Sequence, residues 1–241
     1  MAKFVLVPGA WLGSWAWKKL VPLMIKEGHE AFPVTLTGMG ERVHLARKEF
    51  GMEIAIQDVI NIMKYEDLEE VVLVGHSFAG KVISAVYDRI PERIRMLIYL
   101  DAIVPMKIRE PQGGRESMHA EELNQMTSLA NERGEGWKIP LDEEGYRTFC
   151  FDIKGPDREW FDSKITPWPA NLAFEPITLS KSYDSAKKAY IFCIRQGEKF
   201  NEEDLKYIHS LDGQHRIIET DHYPMINKPD QLMAALNELI L

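Results

Sequence analysis

Short apolar runs alternate along the chain with stretches whose apolar residues recur at helical spacing. Phe4 to Val7 is the first run, and Trp15, Leu20, Leu23 and Met24 then mark a helix, with Ser14 as its expected N-cap and Gly28 as its stop. A second run, Ala31 to Val34, leads into a polar, glycine-bearing loop over Thr35 to Gly51, after which Ile54 to Met63 has helical spacing. Val71 to Val74 is a β-branched run ending at Gly75, with a helical pattern over Lys81 to Arg89 behind it. Met96 to Leu100 is another buried run, closed by Asp101. Continuous apolar runs joined by amphipathic helices are what a mostly parallel sheet covered on both faces requires, so the pattern predicts an α/β fold.

The texture changes after Pro105. From Met106 to Lys188 the chain is richer in Gly, Pro, Trp and Glu and shows no clear buried strand, which reads as an inserted, mainly helical cap. Regular alternation then returns as a strand over Ala189 to Ile194, a helix over Glu202 to His209, a strand over Arg216 to Glu219 and a last helix from Pro229 to Leu241. The expected organisation is a core of residues 1–105 and 189–241 with a cap of residues 106–188 inserted between core strands.

Composition narrows the function classes. The 241 residues carry 37 acidic and 29 basic side chains, a formal charge of -8, which disfavours nucleic acid and anionic membranes as partners. A hydrophobic fraction of 45% is that of an ordinary folded protein. Cys150 and Cys193 are too few for a disulfide framework or a zinc site and sit in apolar sequence, so buried free thiols are expected. The apolar stretch after Met1-Ala2-Lys3 is too short for a signal peptide, and no run approaches a membrane span. The expected setting is cytoplasmic, as monomer or homodimer, with no cofactor and no metal.

The chemistry centres on Gly75-His76-Ser77-Phe78-Ala79-Gly80, a nucleophile elbow between a predicted strand and a predicted helix. A serine hydroxyl needs a base to take its proton, and a sharp turn holds it exposed at the sheet edge. His222, in the loop between the last strand and the last helix, is the candidate base; His76 adjoins the serine in sequence but should point away from it. Two carboxylates compete to orient the base. Asp101 closes the strand beside the elbow and is preferred, while Glu198, after the strand Ala189 to Ile194, occupies the more usual place and stays open as the alternative. Asp221 is read as a loop or surface carboxylate. The oxyanion requires two backbone donors, expected from Phe78 and from Ala10 in the turn after the first strand. Trp11, Trp137 and Trp160 are candidate substrate contacts, within a cap that also holds Phe149, Phe151, Phe161, Trp168 and Phe174. The loop Gly38 to Leu45, with Glu41, Arg42 and His44, either borders the entrance or is simply solvated.

Pro8-Gly9-Ala10-Trp11-Leu12-Gly13-Ser14-Trp15, Gly38-Met39-Gly40-Glu41-Arg42, the elbow, Leu100-Asp101-Ala102-Ile103-Val104-Pro105 and Asp221-His222 together resemble the α/β-hydrolase superfamily over essentially the whole chain. Within it the likeness is to bacterial EstC-like carboxylesterases, relatives of plant methylesterases and hydroxynitrile lyases. The resemblance implies the α/β-hydrolase fold and carries nucleophile, acid and base onto Ser77, Asp101 and His222. This chain departs from the pattern at Pro8, where many members have histidine, and at Ala79. The expected activity is hydrolysis of a small, uncharged, apolar or aromatic carboxylic ester through an acyl-enzyme. A ligand receptor on the same fold and a C–C or cyanohydrin lyase are the alternatives. The lyase is disfavoured because Tyr223 stands where plant-type lyases carry lysine.

Overall fold

Six parallel strands form the central sheet of the computed structural model, which describes residues 1–106, 109–200, 202, 205–206 and 214–241. In chain order they are β1 (Lys3–Val7), β2 (Glu30–Pro33), β3 (Val71–His76), β4 (Ile94–Leu100), β7 (Lys188–Ile194) and β8 (His215–Glu219), arranged β2-β1-β3-β4-β7-β8. β3 is buried at every position, β1 at all but its first residue and β4 at all but Arg95, as strands covered on both faces must be. This is the α/β-hydrolase fold.

Helices α1 (Leu20–Lys26), α2 (Met52–Tyr65) and α3 (Ala79–Arg89) connect the first four strands, and α8 (Pro224–Asn227) and α9 (Pro229–Ile240) close the chain. α3 is buried from Ala79 through Tyr87. Each of Val82, Ile83 and Val86 removed from water contributes about 1.5–3 kcal/mol, so the helix behind the elbow is firmly seated. Among the described residues, the segment between β4 and β7 adds no strand to this sheet. It holds α4 (Ala120–Arg133), α5 (Glu143–Phe149), α6 (Pro156–Asp162), α7 (Ala170–Phe174) and an antiparallel pair, β5 (Lys138–Ile139) with β6 (Trp168–Pro169).

Two expectations need correction and one lies outside what is described. Ser14 does not cap α1: residues 14–17 form a 3₁₀ turn, α1 begins at Leu20, and the Ser14 hydroxyl donates instead to Glu41 at 2.9 Å. The segment between β4 and β7 reads in sequence as mainly helical with no clear buried strand, yet Lys138–Ile139 and Trp168–Pro169 pair; two residues a side leave no periodicity to read. The helix expected over residues 202–209 falls largely outside the described residues.

Candidate active site

The carboxyl ends of β1, β3 and β4 carry three residues forced into the left-handed region, Trp11 (φ 65°), Ser77 (φ 59°) and Asp101 (φ 44°). A side chain there is strained, and such strain gathers at one edge only where the surroundings over-determine the geometry. Ser77 follows the last residue of β3 directly. Its N–H donates to the Leu100 carbonyl at 3.2 Å, and its carbonyl accepts from Gly80 and Ile103, each at 3.1 Å. Ser77 is half-buried while Phe78 and Ala79 behind it are buried. Only glycine fits opposite: a Cβ on Gly9 would stand 2.8 Å from the Ser77 Cβ and 2.5 Å from His76 Nδ1.

Asp101 and His222 meet across the edge although 121 positions separate them. Asp101 Oδ2 lies 2.5 Å from His222 Nδ1, and because a carboxylate accepts, Nδ1 carries the proton and Nε2 is left as the basic nitrogen. The other oxygen, Oδ1, accepts from the Cys193 N–H at 3.3 Å, and the Asp101 N–H donates to Ile191 O at 2.8 Å. β7, running past the end of β4, thus holds the acid with one donor, the Cys193 N–H, and one acceptor, the Ile191 carbonyl. Glu198 lies elsewhere: it is exposed, and its carboxylate accepts from the Arg195 N–H at 3.1 Å.

The neighbours of this pair do more than their sequence context suggested. His76 points away from the serine, toward the loop that bears His222. Its Nε2 donates to the His222 carbonyl at 2.7 Å, and the two rings lie 4.5 Å apart. Burial, followed by the charge of His222, pushes His76 well below the usual imidazole value. Its signal was an imidazole inside a fully buried strand, but its partner sits 146 residues on. Asp221 is buried, not a surface group as expected: Oδ1 accepts from the Tyr223 N–H at 3.0 Å and the Asn227 amide at 2.7 Å, and Oδ2 from the Asp152 N–H at 3.0 Å. Together with the His222 N–H on Phe149 O at 3.3 Å, these bonds fasten the His222 loop to residues 149–152.

Aromatic rings wall the edge. Trp168 packs 5.0 Å from Phe78 and 5.8 Å from Trp11, and Phe149 packs 5.3 Å from His222 and 6.1 Å from Trp11. Trp11 is anchored by its indole N–H on Ile139 O at 2.9 Å. A cavity of about 270 Å³ opens beside Trp11 and Phe149, floored by Met126, Leu129, Ile139 and Leu141, with Glu122, Asp142 and Glu144 but no basic residue among those lining it. Of the three tryptophans expected here, only Trp11 reaches this place. Trp160 packs edge-on against Trp15, and Trp137 borders a different cavity with Arg115 and Phe174. Phe149 and Trp168 take their place.

Several remaining expectations concern groups that brace the site. Glu41 accepts from Thr35 Oγ1 at 2.6 Å as well as from Ser14, and Arg42 donates to Thr35 O at 2.9 Å, so this loop is tied down rather than merely solvated. Burial opposes the Glu41 charge, but these hydrogen bonds and Arg42 outweigh it and hold the carboxyl below its usual value. Both cysteines are free; burial pushes Cys150 up to about 12 and Cys193 well above the ordinary thiol range. Tyr223 is buried against Phe161 at 5.2 Å, and burial raises its phenol too. Among the described residues no group of three or more His, Cys, Asp or Glu is placed to hold a metal ion, and no helix is long and apolar enough to cross a membrane.

Comparison with known proteins supplies the last observation. A model of the alpha/beta hydrolase family matches residues 4–235. Among curated proteins, a carbendazim hydrolyzing esterase of Nocardioides sp. (strain SG-4G) is 30% identical over 99% of this chain and 100% of its own length. Polyneuridine aldehyde esterase of Rauvolfia serpentina is 27% identical over 98% of this chain and 94% of its own. Among solved structures, an extracellular alpha/beta-hydrolase from a Paenibacillus species superposes with a TM-score of 0.81 at 25% identity, covering 99% of both chains.

Proposed function

The chain belongs to the alpha/beta hydrolase family, and from that premise and the geometry of its sheet edge we propose that it hydrolyses carboxylic esters through an acyl-enzyme on Ser77. The observation that carries this reading is the serine on a strained turn, bonded through its N–H to the Leu100 carbonyl next to Asp101, together with a His222–Asp101 pair that leaves Nε2 as the basic imidazole nitrogen. Ser77 Oγ attacks the ester carbonyl as His222 takes its proton. The imidazolium that forms is stabilised by Asp101 and then protonates the leaving alcohol. Water, deprotonated by the same imidazole, releases the acid and restores the serine. Negative charge on the tetrahedral oxygen is met by the N–H groups of Phe78 and Ala10, which requires the close approach that Gly9 allows.

Names of relatives favour turnover over mere binding: the curated proteins include esterases of carbendazim and of polyneuridine aldehyde. We read residues 106–188 as a lid over the core of residues 1–105 and 189–241, with Phe149 and Trp168 its contacts to the reacting groups. The cavity beside Trp11 suits an apolar arm of the ester, and its three carboxylates disfavour an anionic one. Free Cys150 and Cys193 suit a reducing, cytoplasmic setting.

The test is release of p-nitrophenol from short acyl esters. Ser77→Ala should abolish it while leaving the thermal midpoint near the parent's, and a variant that turns over at the parent rate would remove Ser77 from the mechanism. A receptor would instead bind a small ligand without any acyl-enzyme burst.

A further inference from the structure

α3 carries a charge that none of these steps uses. Lys81, one residue beyond the elbow, is 1% exposed, and an ammonium is buried only where its donors are satisfied. Nζ donates to the carbonyl oxygens of Gly113 at 2.6 Å, Ala173 at 3.1 Å, Glu175 at 3.1 Å and Leu172 at 3.2 Å. Leu172, Ala173 and Glu175 are at the end of α7, where helical carbonyls lack intrahelical partners and peptide dipoles present their negative pole. Gly113, in the left-handed region at φ 68°, lies so close that a Cβ there would stand 2.4 Å from the Lys81 Cδ. The held segment leads straight to the reacting edge. α7 begins directly after Trp168-Pro169, and the Trp168 ring packs on Phe78 and Trp11.

We propose that Lys81 is a positioning residue for ester hydrolysis: its protonated ammonium ties Gly113 and the end of α7 to the nucleophile helix, and so holds Trp168 against Phe78 and Trp11. This rests on the reading of Ser77 as nucleophile. The ammonium meets the four carbonyl oxygens with three N–H donors, one of them shared, and a positive charge, whereas a neutral amine has two N–H donors and turns a lone pair toward the oxygens, so loss of the proton slackens the tie. Burial pulls Lys81 down to about 8, the Glu175 carboxylate opposing it. The other charged groups on the elements around it are engaged elsewhere. Glu175 accepts from the Met52 N–H at 2.8 Å, Arg115 stacks 3.8 Å over the Phe174 ring, Asp88 of α3 accepts from Ser180, and Glu53 of α2 pairs with Arg89. Carboxylates and guanidiniums as classes keep their charge from pH 7 to 10. The change in that window therefore falls on the ammonium.

The experiment compares kcat/KM for p-nitrophenyl butyrate from pH 6.5 to 10 in the parent and in Lys81→Met, with amide exchange over residues 168–175, corrected for intrinsic rates, as a readout that needs no turnover. The parent should lose activity along an alkaline limb with a midpoint near 8. Lys81→Met should be lower by about ten- to a hundred-fold at pH 7, lack that limb and exchange faster over 168–175. A limb shared by both proteins, or a parent flat to pH 10, overturns the proposal, whereas a purely structural lysine would change stability without changing the profile. If Lys81→Met fails to fold, exchange over 168–175 in the parent between pH 7 and 9.5 decides: acceleration supports the tie and constancy overturns it. A parent without esterase activity at any pH sinks the hydrolase reading, and the same exchange measurement still judges the tie.

Discussion

His76 and His222 carry the same imidazole, yet burial sets them to opposite tasks. His222 turns Nδ1 to Asp101, which leaves Nε2 as its basic nitrogen, while His76, enclosed and well below its ordinary value, stays neutral and props the His222 carbonyl. The sign of the pH effect follows. Below about 6.5 the unfolded chain gains a proton at this histidine that the folded chain refuses, so stability falls as pH drops, by up to about 1.4 kcal/mol per unit. Urea unfolding at pH 7.5 and 5.5 should show this loss, and His76→Gln should flatten it while lowering kcat. The acid can be tested at the same scale. Asp101→Asn should cost on the order of 10³–10⁴-fold in kcat for p-nitrophenyl butyrate, because the imidazole loses the partner that fixes its tautomer; Glu198→Gln should cost less than about two-fold. Asp101 was legible as a residue because it directly follows an apolar run, and Ser77 because its Gly-x-Ser pattern falls between such a run and a helical one. Neither the prop nor the buried lysine was, since each partner lies on a distant element.

At the scale of elements, the parallel strands were legible nearly to the residue, because burial on both faces leaves continuous apolar runs. The segment between β4 and β7 was legible only as a change of texture. Its short helices take their places from contacts with the edge, such as Phe149 on His222 and Trp168 on Phe78, and no local period encodes these. The staple formed by Asp221 is of the same kind. Asp221→Ala would leave the Tyr223 N–H, the Asn227 amide and the Asp152 N–H without their acceptor, at about 2–4 kcal/mol. Denaturant midpoint and kcat should fall together in this variant, since the loop it releases carries His222, the base of the proposed mechanism; an unchanged kcat would mean that the loop holds itself.

For the whole molecule, the formal charge of -8 and the acidic cavity beside Trp11 act in the same direction on a substrate. An ester bearing a carboxylate on its apolar arm should show kcat/KM about ten-fold below its neutral isostere at low salt, with the gap closing as ionic strength rises past about 0.5 M. A gap independent of salt would place the discrimination in shape instead. The sheet order has a consequence in time. β4 pairs with β7 through Leu97 and Lys188, which closes a loop of about ninety residues at an entropic cost near 4 kcal/mol. β2, β1, β3 and β4 are contiguous in the sheet and complete before β7 is made, so they can bring Ser77 and Asp101 together before His222 exists. At about 5–20 residues per second, seconds pass before His222 is synthesised, so under the mechanism proposed above a nascent chain would display Ser77 and Asp101 yet stay chemically silent until the loop after its last strand has docked.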